Sequence, residues 1–274
     1  MPKIVESAKL EFEEKPTPRA GRIQWKTLAK GVPGTLNNFE FNVYRFHPGY
    51  GTPRHRHNFE QIRFALNGDM TYDPDKELSP GSLTYFPEGA YYGPQNTPSA
   101  SDVLLLQFGG ASGQGFHGQE ELFAAREEMM KTGEFKGGVY TYYKDGKKHN
   151  QDAPEAVFEH IYKRKVEYVK PRIPEPVKFD PSAFSWIVSD IDGIEEKLLG
   201  VLTERKVKSV MYRAVKPAKM KLGADERQLF FTLNGEFSIE GRKCGPMTSI
   251  FCEKGESSEL ALEPGWESLM IRLP

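Results

Sequence analysis

The sequence predicts an all-β protein built from two similar halves, and two observations carry that prediction. Short segments rich in Val, Ile, Tyr, Phe and Thr are punctuated by 26 Gly and 20 Pro residues, the texture of many short strands joined by tight turns in a sandwich or barrel. The chain also repeats itself. VYRFHPGYGTPRHRHNFEQIRFALNGDMTYD lies on MYRAVKPAKMKLGADERQLFFTLNGEFSIEG with a small gap. That alignment brings Tyr44 and Arg45 onto Tyr212 and Arg213, Gln61 onto Gln228, and Leu66, Asn67 and Gly68 onto Leu233, Asn234 and Gly235. Self-similarity over most of a domain length means that one architecture was used twice, and 274 residues suffice for two domains of ordinary size.

In the first half, strands are expected at RIQWKTLA, NFEFNVYRFH, EQIRFALNG, DMTYD, GSLTYFPEG and DVLLLQFG. Alternation in EQIRFALNG turns Gln61, Arg63 and Ala65 to one face and Ile62, Phe64 and Leu66 to the other. The apolar face needs cover from an opposing sheet or from the second domain. After Gly110 the texture changes. QEELFAAREEMMK puts Leu122, Ala125, Met129 and Met130 on one side of a helix, and APEAVFEHIYKRKVEY reads as a second helix followed by a charged strand. VKPRIPEPVKFDP is an extended, proline-rich connector that no helix can continue through. The expected organisation is therefore an N-terminal segment and first barrel over 1–110, a helical insertion and connector over 111–182, and a second barrel over 183–274.

Charge and patterning exclude some functions. A formal net charge of -1 without a dense Lys/Arg block argues against nucleic acid or an anionic membrane as the main partner. No apolar run is long enough to cross a bilayer, and MPKIVESAKLEFEEKPTPRAG lacks the apolar stretch of a secretory signal. A cytoplasmic protein with a small-molecule site is expected. Cys244 and Cys252 are too few for a disulfide framework and read as small semi-buried thiols, with a redox pair as the alternative.

The motifs of the first half carry a resemblance. Gly49, His55, His57, Gln61 and Gly68 match the first cupin motif, G-x5-H-x-H-x(3,4)-E-x6-G, with glutamine in place of its glutamate. Gly81, Pro87, Gly89, Tyr92 and Asn96 match the second, G-x5-P-x-G-x2-H-x3-N, with tyrosine in place of its histidine. The chain thus resembles a bicupin of the cupin superfamily. That resemblance implies two tandem RmlC-like jelly-roll (double-stranded β-helix) barrels, with the metal motif altered in the first and lost in the second. It also implies a structural role for the second barrel, covering the first and helping to form an oligomer.

The residues themselves point to chemistry at the same place. His55 and His57 stand at i and i+2, so on an extended segment both imidazoles reach one face and can share a metal. The resemblance extends the ligand set to Gln61 and Tyr92, where an amide oxygen and a phenol bind more weakly than carboxylate and imidazole. A divalent transition metal is expected, with Fe(II) favoured over Mn, Ni, Co or Zn. With neutral ligands it would keep its full charge and favour an anionic substrate. Glu60 alternates away from that face, whereas Arg63 falls on it and would hold a substrate carboxylate or a structural carboxylate partner. Tyr92 would act as an acid or stabilise a developing oxyanion.

Tyr44, Tyr85 and Tyr91 read as core packing, and His117 as a surface residue at a helix start with a lesser prospect of reaching the barrel mouth. His47, His149 and His160 show no arrangement that singles them out. The expected function is a metal-dependent enzyme acting on a small organic acid or oxygenated compound, with non-haem dioxygenase as the leading class. Two alternatives remain: a non-catalytic binding or structural bicupin, and a metal-free epimerase-, isomerase- or lyase-type cupin. A homodimer is expected, with the N-terminal segment as a strand exchanged between subunits.

Overall fold

A computed structural model describes residues 1–16, 22–202, 205–223 and 225–274. The chain divides into two compact units, Phe12–Lys178 and a second made of Met1–Glu11 with Phe179–Pro274. The division falls inside the proline-rich connector, where fixed φ angles and missing N–H donors keep the chain extended. Residues 1–11, read from sequence as part of the first barrel, belong instead to the second unit. Strand Lys3–Glu6 pairs antiparallel with Thr248–Cys252, and the Glu6 carboxylate meets the Arg242 guanidinium. The edge strand expected to be exchanged between subunits thus completes a sheet of its own chain.

The duplication seen in the sequence is a duplication of topology. In the first unit the larger sheet runs Leu83–Phe86, Phe59–Ala65, Ser101–Gly109, Phe39–Phe46, Arg22–Lys30 and Glu13–Pro16 side by side. In the second, Thr248–Cys252, Arg227–Asn234, Glu267–Leu273, Val207–Ala214 and Ile194–Leu202 take the corresponding order. Each unit adds a smaller four-stranded sheet: Gly51–Thr52, Gln95–Asn96, Met70–Asp73 and Lys76–Leu78 in the first, and Ala218–Gly223, Ser257–Leu262, Phe237–Ile239 and Arg242–Cys244 in the second. The aligned glycines mark equivalent turns. Gly68 (φ 70°) and Gly235 (φ 74°) both adopt the left-handed region. At each, a Cβ would fall within 3 Å of backbone atoms across the turn, so no other residue fits there.

Between the sheets of the first unit sits an aromatic-rich core that includes Trp25, Tyr44, Phe46, Met70, Tyr72, Phe86 and Tyr92. Strand Phe59–Ala65 is buried on both faces. Ala65 joins that core, while Ile62 and Phe64, on the reverse face, are just as buried without being part of it. The inward face of the strand is therefore the polar one, and it brings Gln61 and Arg63 inside the barrel.

The insertion differs from its expected form. Helix α1 (Gln119–Met129) and helix α2 (Ala153–Tyr162) are present, but a three-stranded antiparallel meander, Gly133–Lys136, Val139–Lys144 and Lys147–Asp152, lies between them. Tyr140 fixes the meander to α1: its hydroxyl donates to the Met129 carbonyl at 3.0 Å, and its ring packs with Ala125, Met129, Ala156 and Val157. The buried residues of α1 are Phe123, Ala125 and Met129; Met130, expected on that face, ends the helix and is exposed. Phe123 stacks on Trp25 with ring centroids 5.6 Å apart. The charged strand expected after α2 does not form, and 165–170 runs as irregular backbone after Lys163 closes the helix in a left-handed conformation.

Candidate functional site

The first barrel holds a partly open cavity of about 170 Å³. Its wall includes His55, His57, Gln61, Arg63 and Tyr92, so all five residues singled out in the sequence meet in one place. Three local structures position them. His55 and His57 precede strand Phe59–Ala65 on an extended segment, which presents both imidazoles inward with ring centroids 5.0 Å apart. Tyr92 is pinned opposite by a two-residue bridge, in which His55 N–H donates to the Tyr92 carbonyl and Tyr92 N–H to the His55 carbonyl, each at 2.9 Å. Gln61 and Arg63 come from the inward face of the strand itself.

Hydrogen bonding sets the roles these groups can take. His55 Nδ1 lies 2.7 Å from the Pro53 carbonyl; since a carbonyl only accepts, Nδ1 carries the proton and Nε2 is the basic nitrogen. Arg63 donates from Nε and Nη2 to Gln61 Oε1 at 3.0 and 2.7 Å, and from Nη2 to the Tyr92 hydroxyl at 3.1 Å. Its guanidinium rests on the Phe86 ring, 4.3 Å from the centroid. No described carboxylate pairs with Arg63, and its Nη1 is buried without a hydrogen-bond partner. The structural carboxylate partner considered from the sequence is therefore absent among the described residues.

A divalent metal fits this donor set in part. The two imidazoles offer nitrogens at suitable spacing, but the Gln61 oxygen accepts two N–H groups from a guanidinium and the Tyr92 oxygen a third. Both oxygens thus serve Arg63. Among the described residues no three His, Cys, Asp or Glu side chains come together as a metal cluster, and the nearest fixed charge is positive. An ion on His55 and His57 would have to draw further ligands from water and from a bound anion.

The other sequence readings sort clearly. Glu60 is buried and does not line the cavity, as strand alternation requires. Of the three other tyrosines only Tyr44 lines it. Tyr85 is buried elsewhere and Tyr91 is exposed, with the Arg54 and Arg56 guanidiniums 4.5 and 4.7 Å from its ring centroid.

His117, read as a surface residue, lines the cavity too. Its ring lies near those of Phe116, Phe158 and Tyr162. Burial lowers its pKa from 6.5 to about 4, which keeps it neutral at physiological pH. The sequence signal for it was the glycine-rich stretch before α1, which lets the chain turn in over the barrel; what brings its aromatic neighbours from α2 is long-range packing. Gln119 also joins the wall, its Nε2 donating to the Tyr44 hydroxyl at 2.8 Å.

No protein-family model and no curated protein sequence matches the chain. Solved structures do. A candidate dioxygenase from Nostoc punctiforme superposes with a TM-score of 0.69 over 99% of this chain and 82% of its own, at 8% identity. A mutant oxalate decarboxylase from Bacillus subtilis matches 99% of this chain and 77% of its own, with 15% identity and a TM-score of 0.55. The chain has the bicupin fold. The chain also resembles a bacterial pirin from Escherichia coli in complex with nickel(II), with a TM-score of 0.57 and 10% identity over 100% of this chain and 99% of the pirin. At these identities the likeness is one of fold. What the protein does must be argued from its cavity.

Proposed function

We propose that the first barrel of this bicupin binds a small organic acid, with Arg63 as its counter-charge and the imidazoles of His55 and His57 as the groups that act on it. The single observation that carries this reading is the buried guanidinium. Taking a cation out of water costs several kcal/mol, and a ring beneath it returns only about 1–2 kcal/mol. Neutral partners at Gln61 and Tyr92 fix its orientation without neutralising it. A carboxylate entering the cavity beside Arg63 would supply the missing charge, as charge-assisted contacts do.

Around such an acid, the basic Nε2 of His55 can take a proton, and Tyr92, its oxygen already accepting from Arg63, has a phenolic proton of its own to give. His117 stays neutral and adds a polar edge to an otherwise aromatic wall. This is acid–base chemistry of the epimerase, isomerase or lyase kind, and the residues present are enough for it.

A second reading, a metal-dependent enzyme of the dioxygenase class, is favoured by one observation: two imidazoles on one face, one of them with Nδ1 held by a backbone carbonyl, as ligand histidines commonly are. Structures of the same fold carry nickel(II) in the pirin and manganese(II) in oxalate decarboxylase. His55 and His57 would hold the ion, Gln61 and Tyr92 would stand just outside its coordination sphere through Arg63, and the metal would supply Lewis acidity toward the bound acid.

One experiment separates these readings. Tag-free protein is assayed by calorimetry against small carboxylates and analysed for metals, beside Arg63→Met and a His55→Ala/His57→Ala double variant. Arg63→Met is expected to weaken carboxylate binding roughly 10- to 100-fold; unchanged affinity would sink the anion site. Near-stoichiometric metal in the wild type, lost in the double variant, favours the metal-dependent enzyme. No metal after anaerobic incubation with Fe(II) leaves the acid–base reading alone.

A further inference from the structure

The cavity wall carries more information than the position of one charge. Among the described residues that line it, three buried side-chain atoms have no hydrogen-bond partner: Arg63 Nη1, Gln95 Nε2 and Asn58 Nδ2. All three are N–H donors. Their residues are 5%, 5% and 6% exposed, so bulk solvent does not reach them. Gln95 is held in place by the Thr52 hydroxyl, which donates to its Oε1 at 3.0 Å across the pairing of Gln95 with Thr52. That contact uses the amide oxygen and leaves the amide nitrogen without a hydrogen-bond partner.

A simple alkanoate would answer Arg63 and leave the two amides buried and unpaired, the arrangement a polar site penalises most. An acid with further oxygen acceptors answers all three. Size limits the choice as well: a cavity of about 150 Å³ takes a molecule the size of benzene, and this one is about 170 Å³.

We infer that the ligand of the first barrel is an oxygen-rich acid of about four to six carbons, a hydroxy or oxo acid whose carboxylate sits on Arg63 and whose other oxygens accept from Gln95 and Asn58. This rests on the organic-acid reading above and names its substrate class. Gln95 and Asn58 become the specificity-determining residues, drawn from Gln95–Asn96 in the smaller sheet and from the entry to strand Phe59–Ala65.

The test uses matched probes: threonate against butanoate, and gluconate against hexanoate, each pair equal in carbon number and carboxylate count. Binding is measured calorimetrically at pH 7 to the full-length protein. At least one hydroxy acid is expected to bind ten or more times tighter than its alkanoate. That margin should vanish in Gln95→Met and in Asn58→Leu while alkanoate binding persists, which also reports that the variants are folded. Gln95→Glu, of the same shape with an acceptor in place of the donor, should lose the hydroxy acid even where Gln95→Met or Asn58→Leu fails to fold. Equal binding within both pairs, abolished by Arg63→Met, overturns this inference and leaves the anion site standing. Binding that survives Arg63→Met overturns the anion site itself, and no binding of any of the four probes overturns the inference.

Discussion

Arg63 and His117 show how one cavity treats a permanent and a titratable cation differently. A guanidinium cannot give up its proton, so burial leaves Arg63 charged, propped by Gln61, Tyr92 and the Phe86 ring. An imidazole can, and burial drives the His117 pKa to about 4. Its ring resonances should therefore stay flat in NMR spectra between pH 5.5 and 8, and a His117 titration near 6.5 would contradict its desolvation by the aromatic rings around it. The linked stability follows in sign: with the folded pKa depressed below the unfolded 6.5, the contribution is complete above about pH 6.5 and is lost as pH falls toward 4. The motif spacing made His55 and His57 legible in the sequence, because strand geometry alone puts i and i+2 on one face. It could not reveal that Gln61 and Tyr92 serve a guanidinium, since that depends on which rotamers meet across 29 residues of chain.

Helix α1 is tied to the barrel at its first turn. The Gln119 N–H donates to Glu40 Oε1 at 2.8 Å, the Gly118 N–H donates to Glu121 Oε2 at 3.0 Å, and Asn38 Nδ2 donates to the Phe116 carbonyl at 2.8 Å. The first two contacts occupy N–H groups that a helix cannot bond internally, and the third fixes the segment leading into it. Glu40 makes its contact from inside a strand, and burial lifts its pKa from 4.5 to about 7 against the lowering effect of the Gln119 and Asn42 bonds. A carboxyl with a raised folded pKa stabilises most below the unfolded value, so stability should fall as pH rises from 4.5 through about 7, by up to about 3 kcal/mol. Urea denaturation at pH 5 and pH 7.5 should show that slope flattened in Glu40→Gln, which keeps an acceptor for Gln119; an unchanged slope would place the titration elsewhere. The helical pattern of α1 was readable from its periodicity. The meander after it was not, because Lys147–Asp152 is charged and polar throughout and is exposed or half-buried, so its strand character comes from pairing with Val139–Lys144 and not from an apolar face.

In the molecule as a whole, one barrel plan appears twice, but the polar cluster of His55, His57, Gln61, Arg63 and Tyr92 belongs to the first copy. The second unit has an apolar core cluster of Val210, Met220, Phe230, Phe237, Ile250, Leu260 and Trp266, and Gln228, the counterpart of Gln61, accepts the Gly223 N–H at 2.9 Å. The second unit is also the one that depends on the N-terminus. Deleting residues 1–6 would strip the partner from strand Thr248–Cys252 and expose its unpaired edge. A loss of about 2–4 kcal/mol is expected, from roughly one kcal/mol per strand hydrogen bond, together with self-association. Urea midpoints and sedimentation would read both, and a deletion variant as stable and monomeric as the full chain would refute the pairing.

The sequence by itself determined the all-β class, the duplication, the site of division and the five residues that meet in the first barrel. Each of these is written in local rules: strand periodicity, glycine turns, proline stiffness and the spacing of two histidines. Only the tertiary structure decided that residues 1–11 join the second unit, that His117 lines the cavity, and that Arg63 lines it with no described carboxylate paired to it. Those outcomes depend on contacts between residues tens to hundreds of positions apart, where burial removes water and the partners that remain decide what a side chain can do.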